Sequence, residues 1–263
     1  MHLNYTQAQT ILDGYGMQGK FVHVNGNKTF VTENGNGPIL LLIHGLDSSV
    51  YTWRFNFNIL SAKFHVIAPD LPGFGFSELT NRNGCYIQYY IDFIHELLKD
   101  YTSNGIYVIG HSFGGTIGTE FCRQYEHLVR KLVLVSAPTV DNTIIPKKKL
   151  ENLLMFSYQN KNFVTDEFVK FLKLSESQIS AKNVIDSIET ESDIFFDNHF
   201  NPLKVPCKII WGQDDALFPA ETALRTKAMF NNAEVSILPD CGHAPHEELS
   251  AEFDLLSIRF LQN

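Results

Sequence analysis

The sequence predicts an α/β protein: a mostly parallel, twisted sheet flanked by helices and carrying an inserted helical cap. Three observations predict it. Short continuous apolar runs, expected of strands covered on both faces, alternate with segments of helical spacing. That alternation stops after Val135 for roughly seventy residues and then resumes. A glycine-flanked serine, Gly110-His111-Ser112-Phe113-Gly114-Gly115, follows one apolar run and opens a small-residue helix, the strand-turn-helix setting that displays a side chain at the end of a sheet.

Taken in order, residues from about Lys20 to Glu33 read as an edge hairpin, because Phe21, His23, Thr29 and Val31 alternate around Asn25-Gly26-Asn27, a turn that favours positive φ. Pro38–Ile43 is a buried strand ending in His44-Gly45-Leu46-Asp47. Trp53–Leu60 has helical spacing, Phe64–Ala68 is a second buried strand, and Asp70–Ser77 is a Gly/Pro-rich loop. Tyr86–Tyr101 carries apolar residues at 87, 90, 91, 94, 97 and 98, one face of a helix, and leads into the strand Ile106–Ile109. The helix after Ser112 runs to about Tyr125, and Lys131–Val135 is the next strand. The interval from about Thr139 to Val205 is polar, with helical stretches at Leu150–Tyr158, Asp166–Leu174 and Ala181–Ser187 and no strand candidate, so it is read as the cap. Alternation resumes with the strand Cys207–Trp211, a helix around Glu221–Phe230, the strand Glu234–Leu238 and a closing helix from about Glu247 to Leu261. The expected organisation is therefore a core formed by residues 1–136 and 206–263, interrupted by a cap at 137–205. Ligands of parallel sheets bind at the carboxyl ends of the strands, so the loops after Ile43, Ala68, Ile109, Val135, Trp211 and Leu238 are expected to share one face under the cap.

Composition narrows the function. With 263 residues, 44% of them hydrophobic, the chain buries a large core. A net charge of −8 disfavours nucleic acids and anionic membranes as partners and leaves small neutral or apolar molecules. Cys85, Cys122, Cys207 and Cys241 are scattered without metal-ligand spacing, which suits reduced thiols in a cytoplasm; no metal or cofactor is expected. No secretion signal or membrane span is indicated, and the oligomeric state is left open.

A serine hydroxyl needs a base in hydrogen-bond reach, itself oriented by a carboxylate. Two later loops offer them in the order Ser, Asp, His: Trp211-Gly212-Gln213-Asp214-Asp215-Ala216-Leu217-Phe218-Pro219 and Asp240-Cys241-Gly242-His243-Ala244-Pro245-His246-Glu247-Glu248.

The motifs LLIHG (41–45), VIAPDLPGFGFS (66–77), GHSFGG (110–115), WGQDDALFP (211–219) and CGHAPHEE (241–248) resemble, in this order and over nearly the full chain, the α/β-hydrolase fold superfamily, in particular its cap-bearing serine hydrolases: carboxylesterases, lactonases and carbon–carbon bond hydrolases. The resemblance implies Ser112 as nucleophile, His243 as general base and then acid, and Asp215 as its orienting carboxylate, since W-G-x-x-D-x-x-x-P fits Asp215 better than Asp214. It implies an oxyanion hole from the backbone N–H groups of Leu46 and Phe113. His44 is read mainly as a hydrogen-bonding group that shapes the oxyanion loop; it joins His111, Phe156, Leu217 and Ala244 as candidates to line the substrate site. His246 is read as a helix-start or surface residue, and Asp70 and Ser77 as loop-stabilising groups. The aromatics Phe156, Tyr158, Phe163, Phe168, Phe171, Phe195, Phe196 and Phe200 are expected to be mostly the cap's own core, with one or two facing the pocket.

Relatives that open epoxides or displace halide carry aspartate where Ser112 stands, so acyl transfer to serine is the expected chemistry. In carbon–carbon hydrolases the first loop is usually glycine-rich with an asparagine; here it is Leu46-Asp47-Ser48-Ser49-Val50. The expected function is hydrolysis of a carboxylic ester, lactone or thioester of a small, largely apolar substrate. The alternatives are a slow-turnover ligand receptor, a carbon–carbon hydrolase and a cofactor-free perhydrolase.

Overall fold

A computed structural model describes residues 2–79, 87–101, 105–138, 153–175 and 201–263. Among the described residues eight strands form one sheet: β1 (Gly19–Val24), β2 (Asn27–Asn34), β3 (Ile39–Ile43), β4 (His65–Pro69), β5 (Ile106–His111), β6 (Val129–Val135), β7 (Cys207–Gly212) and β8 (Ala233–Leu238). Their order is β1-β2-β4-β3-β5-β6-β7-β8. Only the pairings of β2 with β1 and with β4 are antiparallel. Every residue of the central strands β5 and β7 is buried, whereas the edge strands β1 and β8 are only partly so. Continuous apolar runs thus mark the middle of the sheet.

Side-chain alternation divides the interior into two cores. Leu41, Ile43, Leu132 and Leu134 face one, filled by Ile87, Tyr90, Ile91 and Ile94 of helix Ile87–Leu98 and by Ile117 and Phe121 of helix Phe113–Gln124. Leu40, Leu42, Val133 and Val135 face the other, filled by Phe57 and Leu60 of helix Phe57–Ser61 and by Phe253 and Leu261 of the closing helix. Asn25 (φ 48°) and Gly26 (φ 78°) make the hairpin turn, and two successive positive φ values match the twist of the flanking strands.

Three segments differ from the sequence expectation. The N-terminus forms a helix, His2–Asp13, that buries Ala8 and Leu12. Trp53–Leu60 is not one helix but a 3-10 turn, Val50–Trp53, followed by Phe57–Ser61. The closing helix starts at Pro245 and breaks at Leu249, whose φ of −129° and ψ of 50° are not helical, before resuming as Ser250–Gln262.

The chain leaves the sheet after β6 and returns with β7. Two helices of this excursion are described, Leu153–Ser157 and Asp166–Leu174, the latter capped by Thr165 accepting from the Phe168 N–H; Ala181–Ser187 lies outside the described residues. The described aromatics pack partly on one another, Tyr158 stacking on Phe163 at 6.0 Å and meeting Phe168 edge-on at 6.1 Å, and partly on residues outside the excursion. Tyr51 stacks on Phe171 at 4.2 Å and on Phe168 at 5.8 Å, Phe55 meets Phe163, and Phe76 meets Phe171 edge-on. The excursion therefore packs on the loops at the carboxyl ends of β3 and β4, because those loops present flat rings that would otherwise face water. Phe195, Phe196 and Phe200 lie outside the described residues, as does Cys85; Cys122, Cys207 and Cys241 are buried free thiols.

Two features position the loops above the sheet. At the end of β5 the chain turns within one residue, Ser112 (φ 51°, ψ −121°), and the next helix starts so close to β3 that a Cβ on Gly114 would lie 2.2 Å from the Ile43 carbonyl oxygen. In the loop after β3, His44 is fully buried and its Nε2 accepts the Leu71 N–H at 2.9 Å, so the ring proton sits on Nδ1 and is donated to the Gly45 carbonyl at 2.7 Å. His44 thereby joins the loop after β3 to the loop after β4. Asp70 adds two links, accepting from the Val50 N–H at 2.7 Å and the Phe76 N–H at 2.8 Å, and Ser77 donates to the Asp70 carbonyl at 2.7 Å.

Gly114→Ala is expected to destabilise the protein by about 3 kcal/mol, toward the upper end of overpacking costs. Gly118→Ala, whose added Cβ meets nothing closer than 3.4 Å, is expected to be neutral or stabilising by up to about 1 kcal/mol through helix propensity. Urea midpoints of the two variants test the pair. Burial lowers the His44 pKa from 6.5 to about 4. The unfolded chain therefore takes up this proton first as pH falls, and stability present above pH 6.5 is lost toward pH 4. Between pH 7 and pH 5 the loss from His44 is about 2 kcal/mol. Burial raises the Asp70 and Asp254 pKa values to about 7, which favours folding as pH falls, so the histidine is read as a difference: the stability of wild type relative to His44→Gln, from urea unfolding, should fall by about 2 kcal/mol between pH 7 and pH 5.

Candidate active site

The site lies where the loops after β3, β5, β7 and β8 meet. Ser112 stands half-buried on its strained turn, with its N–H held by the Val135 carbonyl at 2.9 Å. The loop after β3 passes beside it: a Cβ on Gly45 would lie 3.0 Å from His111 Nδ1 and 3.3 Å from the Ser112 Cβ. This places the backbone of Leu46 next in line. Phe113 is the first residue of its helix, so its N–H has no acceptor within the helix.

Asp215 is brought to its place by the loop after β7. Trp211 closes that loop by donating from Nε1 to the Phe218 carbonyl at 3.2 Å, while the Gln213 and Asp214 N–H groups bond the Leu238 and Cys241 carbonyls, each at 2.8 Å. The two neighbouring aspartates then separate: Asp214 is exposed and Asp215 is buried. The Asp215 Oδ1 accepts from the Leu217 N–H (2.8 Å) and the Phe218 N–H (3.0 Å), and its Oδ2 lies 2.7 Å from His243 Nδ1. A carboxylate oxygen can only accept, so Nδ1 carries the proton and Nε2 is the basic nitrogen of the neutral ring. The arrangement can hold an imidazole in one tautomer and stabilise its charge once it is protonated.

Two of the histidines expected to line a substrate pocket do other work. His44 is enclosed, with both ring nitrogens engaged. His111 is buried; its Nε2 donates to the His243 carbonyl at 2.9 Å and its ring packs 4.4 Å from that of His246. Burial, and then the neighbouring His243, push its pKa well below the ordinary histidine value, so it stays neutral. His246 starts a helix as expected but is fully buried rather than at the surface, because Thr52 Oγ lies 2.7 Å from its Nε2. Leu217 and Phe156 pack on the same apolar cluster, which also holds Phe113 and Phe218. Ala244 is buried at a helix start, where its carbonyl accepts the N–H groups of Glu247 and Glu248, both at 2.9 Å.

Sequence reasoning missed Arg54, Thr52, Tyr158, Glu247 and Glu248, which surround the His243 loop. Their signal was the acidic pair closing the motif Cys241–Glu248, two carboxylates in the first turn of an otherwise buried helix. Among the described residues no cluster of three or more His, Cys, Asp or Glu side chains is placed to hold a metal, and no helix is long and apolar enough to cross a membrane.

Comparison with known proteins agrees with this architecture. The sequence profile of the alpha/beta hydrolase fold matches residues 38–181, more than half of the chain. Lipase 1 of Psychrobacter immobilis is 30% identical over 255 residues, covering 85% of this chain and 77% of that protein. The 2-hydroxy-6-oxo-2,4-heptadienoate hydrolase of Pseudomonas putida is 23% identical, covering 92% of this chain and 96% of that enzyme. The crystal structure of a membrane phospholipase A superposes with a TM-score of 0.83 at 20% identity, covering 99% of this chain and 92% of that one, which speaks to the fold alone. The chain is a hydrolase of the alpha/beta hydrolase fold family.

Proposed function

We propose that the protein is a serine hydrolase that cleaves a carboxylic ester, lactone or thioester of a small, largely apolar substrate through an acyl-enzyme on Ser112. The single observation that carries this reading is the buried Asp215–His243 pair at 2.7 Å, joined through the His243 carbonyl to His111, the residue before a serine held at φ 51°. The Ser112 Oγ attacks the substrate carbonyl and its proton passes to His243 Nε2, while Asp215 stabilises the imidazolium. The oxyanion takes hydrogen bonds from the Leu46 and Phe113 N–H groups, each such donor being worth about 3 kcal/mol of barrier. The same imidazolium protonates the leaving alcohol or thiol. Water then attacks the acyl-enzyme and gives its proton to Nε2, and collapse of the second tetrahedral intermediate breaks the acyl–Oγ bond as Nε2 returns that proton to Ser112, releasing the acid.

The excursion after β6 serves as the cap, and Phe156, Phe113 and Leu217 form an apolar wall for the acyl group. Identity to a protein named a lipase supports ester cleavage over carbon–carbon cleavage, as does the first loop, Leu46–Val50. The buried thiols of Cys122, Cys207 and Cys241 support a cytoplasmic setting.

Multiple turnover of p-nitrophenyl butyrate is expected from the wild type, and its absence would sink the reading. Ser112→Ala should lose this activity and all labelling by a fluorophosphonate probe while keeping the wild-type circular dichroism. Asp215→Asn should lower kcat by roughly 10³–10⁴, as expected for an imidazole left in the wrong tautomer. Asp214→Asn should stay within about threefold of wild type, since its exposed side chain makes only weak, screened interactions. The reverse order of these two variants would overturn the assignment of the carboxylate.

A further inference from the structure

The loop that carries His243 is bonded to the excursion through its own backbone and through two carboxylates. The His243 N–H donates to the Ser157 carbonyl at 2.8 Å. Glu248 bridges the two segments: its Oε1 accepts from the Gly242 N–H at 2.9 Å, and its Oε2 accepts from the N–H groups of Gln159 at 2.9 Å and Asn160 at 3.0 Å. Glu247 makes a second bridge, deeper in the molecule. Its Oε1 accepts from the Tyr158 hydroxyl at 2.9 Å and from Thr52 at 2.6 Å, and its Oε2 pairs with the Arg54 guanidinium at 2.5 Å. Arg54, Glu247 and Tyr158 are buried, so each bond acts in a medium of low dielectric, where an unpaired partner is costly.

From these contacts we infer that Ser157–Asn160, Glu247 and Glu248 form a clasp that positions His243, so that docking of the excursion is a condition for catalysis and not only a boundary of the pocket. The inference rests on the proposed role of His243 as base. Four consecutive residues, 157–160, bond residues 243, 247 and 248, and no other described contact fixes the His243 N–H. The opposite face of the loop is held by the His111 bond to the His243 carbonyl. With both faces held, the imidazole stays aligned between Asp215 and Ser112; with the clasp open, the His243 backbone keeps only its bond to His111. Glu247 and Glu248 act through His243 and are positioning residues.

The test uses the full chain with two substitutions. Glu248→Gln keeps the shape but turns an amide group toward backbone N–H groups on one side of the bridge, and Tyr158→Phe removes one hydroxyl from the Glu247 bridge. In Glu248→Gln the rate of fluorophosphonate labelling at Ser112 and the kcat for p-nitrophenyl butyrate should each fall about tenfold or more, with KM changed less than threefold. The His243 amide should exchange with solvent about tenfold faster, and Tyr158→Phe should move the same readouts in the same direction by a smaller factor. The inference is overturned if either variant, folded by circular dichroism, labels Ser112 within twofold of the wild-type rate, whether or not the His243 amide exchanges faster. If Glu248→Gln fails to fold, Tyr158→Phe decides. If wild-type Ser112 takes no label, the hydrolase reading fails instead, and the His243 amide exchange still judges the clasp.

Discussion

The close approach of helix Phe113–Gln124 to the end of β3 is the constraint on which the rest of the site depends. The Ile43 carbonyl oxygen occupies the space that any side chain on residue 114 would need. Because the helix starts that near the sheet, the chain must turn within the single residue Ser112, whose left-handed backbone strain is maintained by packing on both sides. The same proximity sets the Gly45 backbone beside the serine and leaves the first N–H of the helix without an internal acceptor. One packing contact thus produces a presented hydroxyl, a neighbouring loop and an oriented donor.

Around this rigid centre most polar groups are withdrawn from water in pairs and triples whose hydrogen bonds offset the cost, although the Nδ1 atoms of His111 and His246 are buried with no hydrogen-bond partner among the described residues. Asp215 makes three such bonds, Glu247 three and Glu248 three. A carboxylate with four acceptor positions is suited to joining segments far apart in the chain, since it can take donors from several of them at once. Here it joins the loop after β8 to the excursion and to the turn after β3. His44, His111 and His246 complete the pattern as neutral imidazoles; burial lowers the pKa of each, so they serve as hydrogen-bonding wedges rather than as charges.

Much of the fold was legible because strands and amphipathic helices are written in local periodicity. The strand boundaries shifted by a few residues, and the two helical readings that split, Trp53–Leu60 and the closing helix, did so where a loop had to enter a buried site. The N-terminal helix went unread, since its buried face consists of little more than Ala8 and Leu12. The partners that the excursion's aromatics find outside the excursion were the larger departure. Amphipathic spacing shows that a helix has an apolar face, but not what covers it, and Tyr51, Phe55 and Phe76 lie about a hundred residues away in the chain.

By itself the sequence determined the β/α alternation, the strained serine turn and the order of serine, aspartate and histidine, because each depends on residue types within a few positions of one another. The choice of Asp215 over Asp214 came from the resemblance of its motif, and tertiary structure alone decided which histidines are enclosed and that Glu247 and Glu248 hold the His243 loop to the excursion. Burial and hydrogen-bond partnership belong to the surroundings of a side chain, and the surroundings of Glu247 come from positions 52, 54 and 158, which share no local pattern with it.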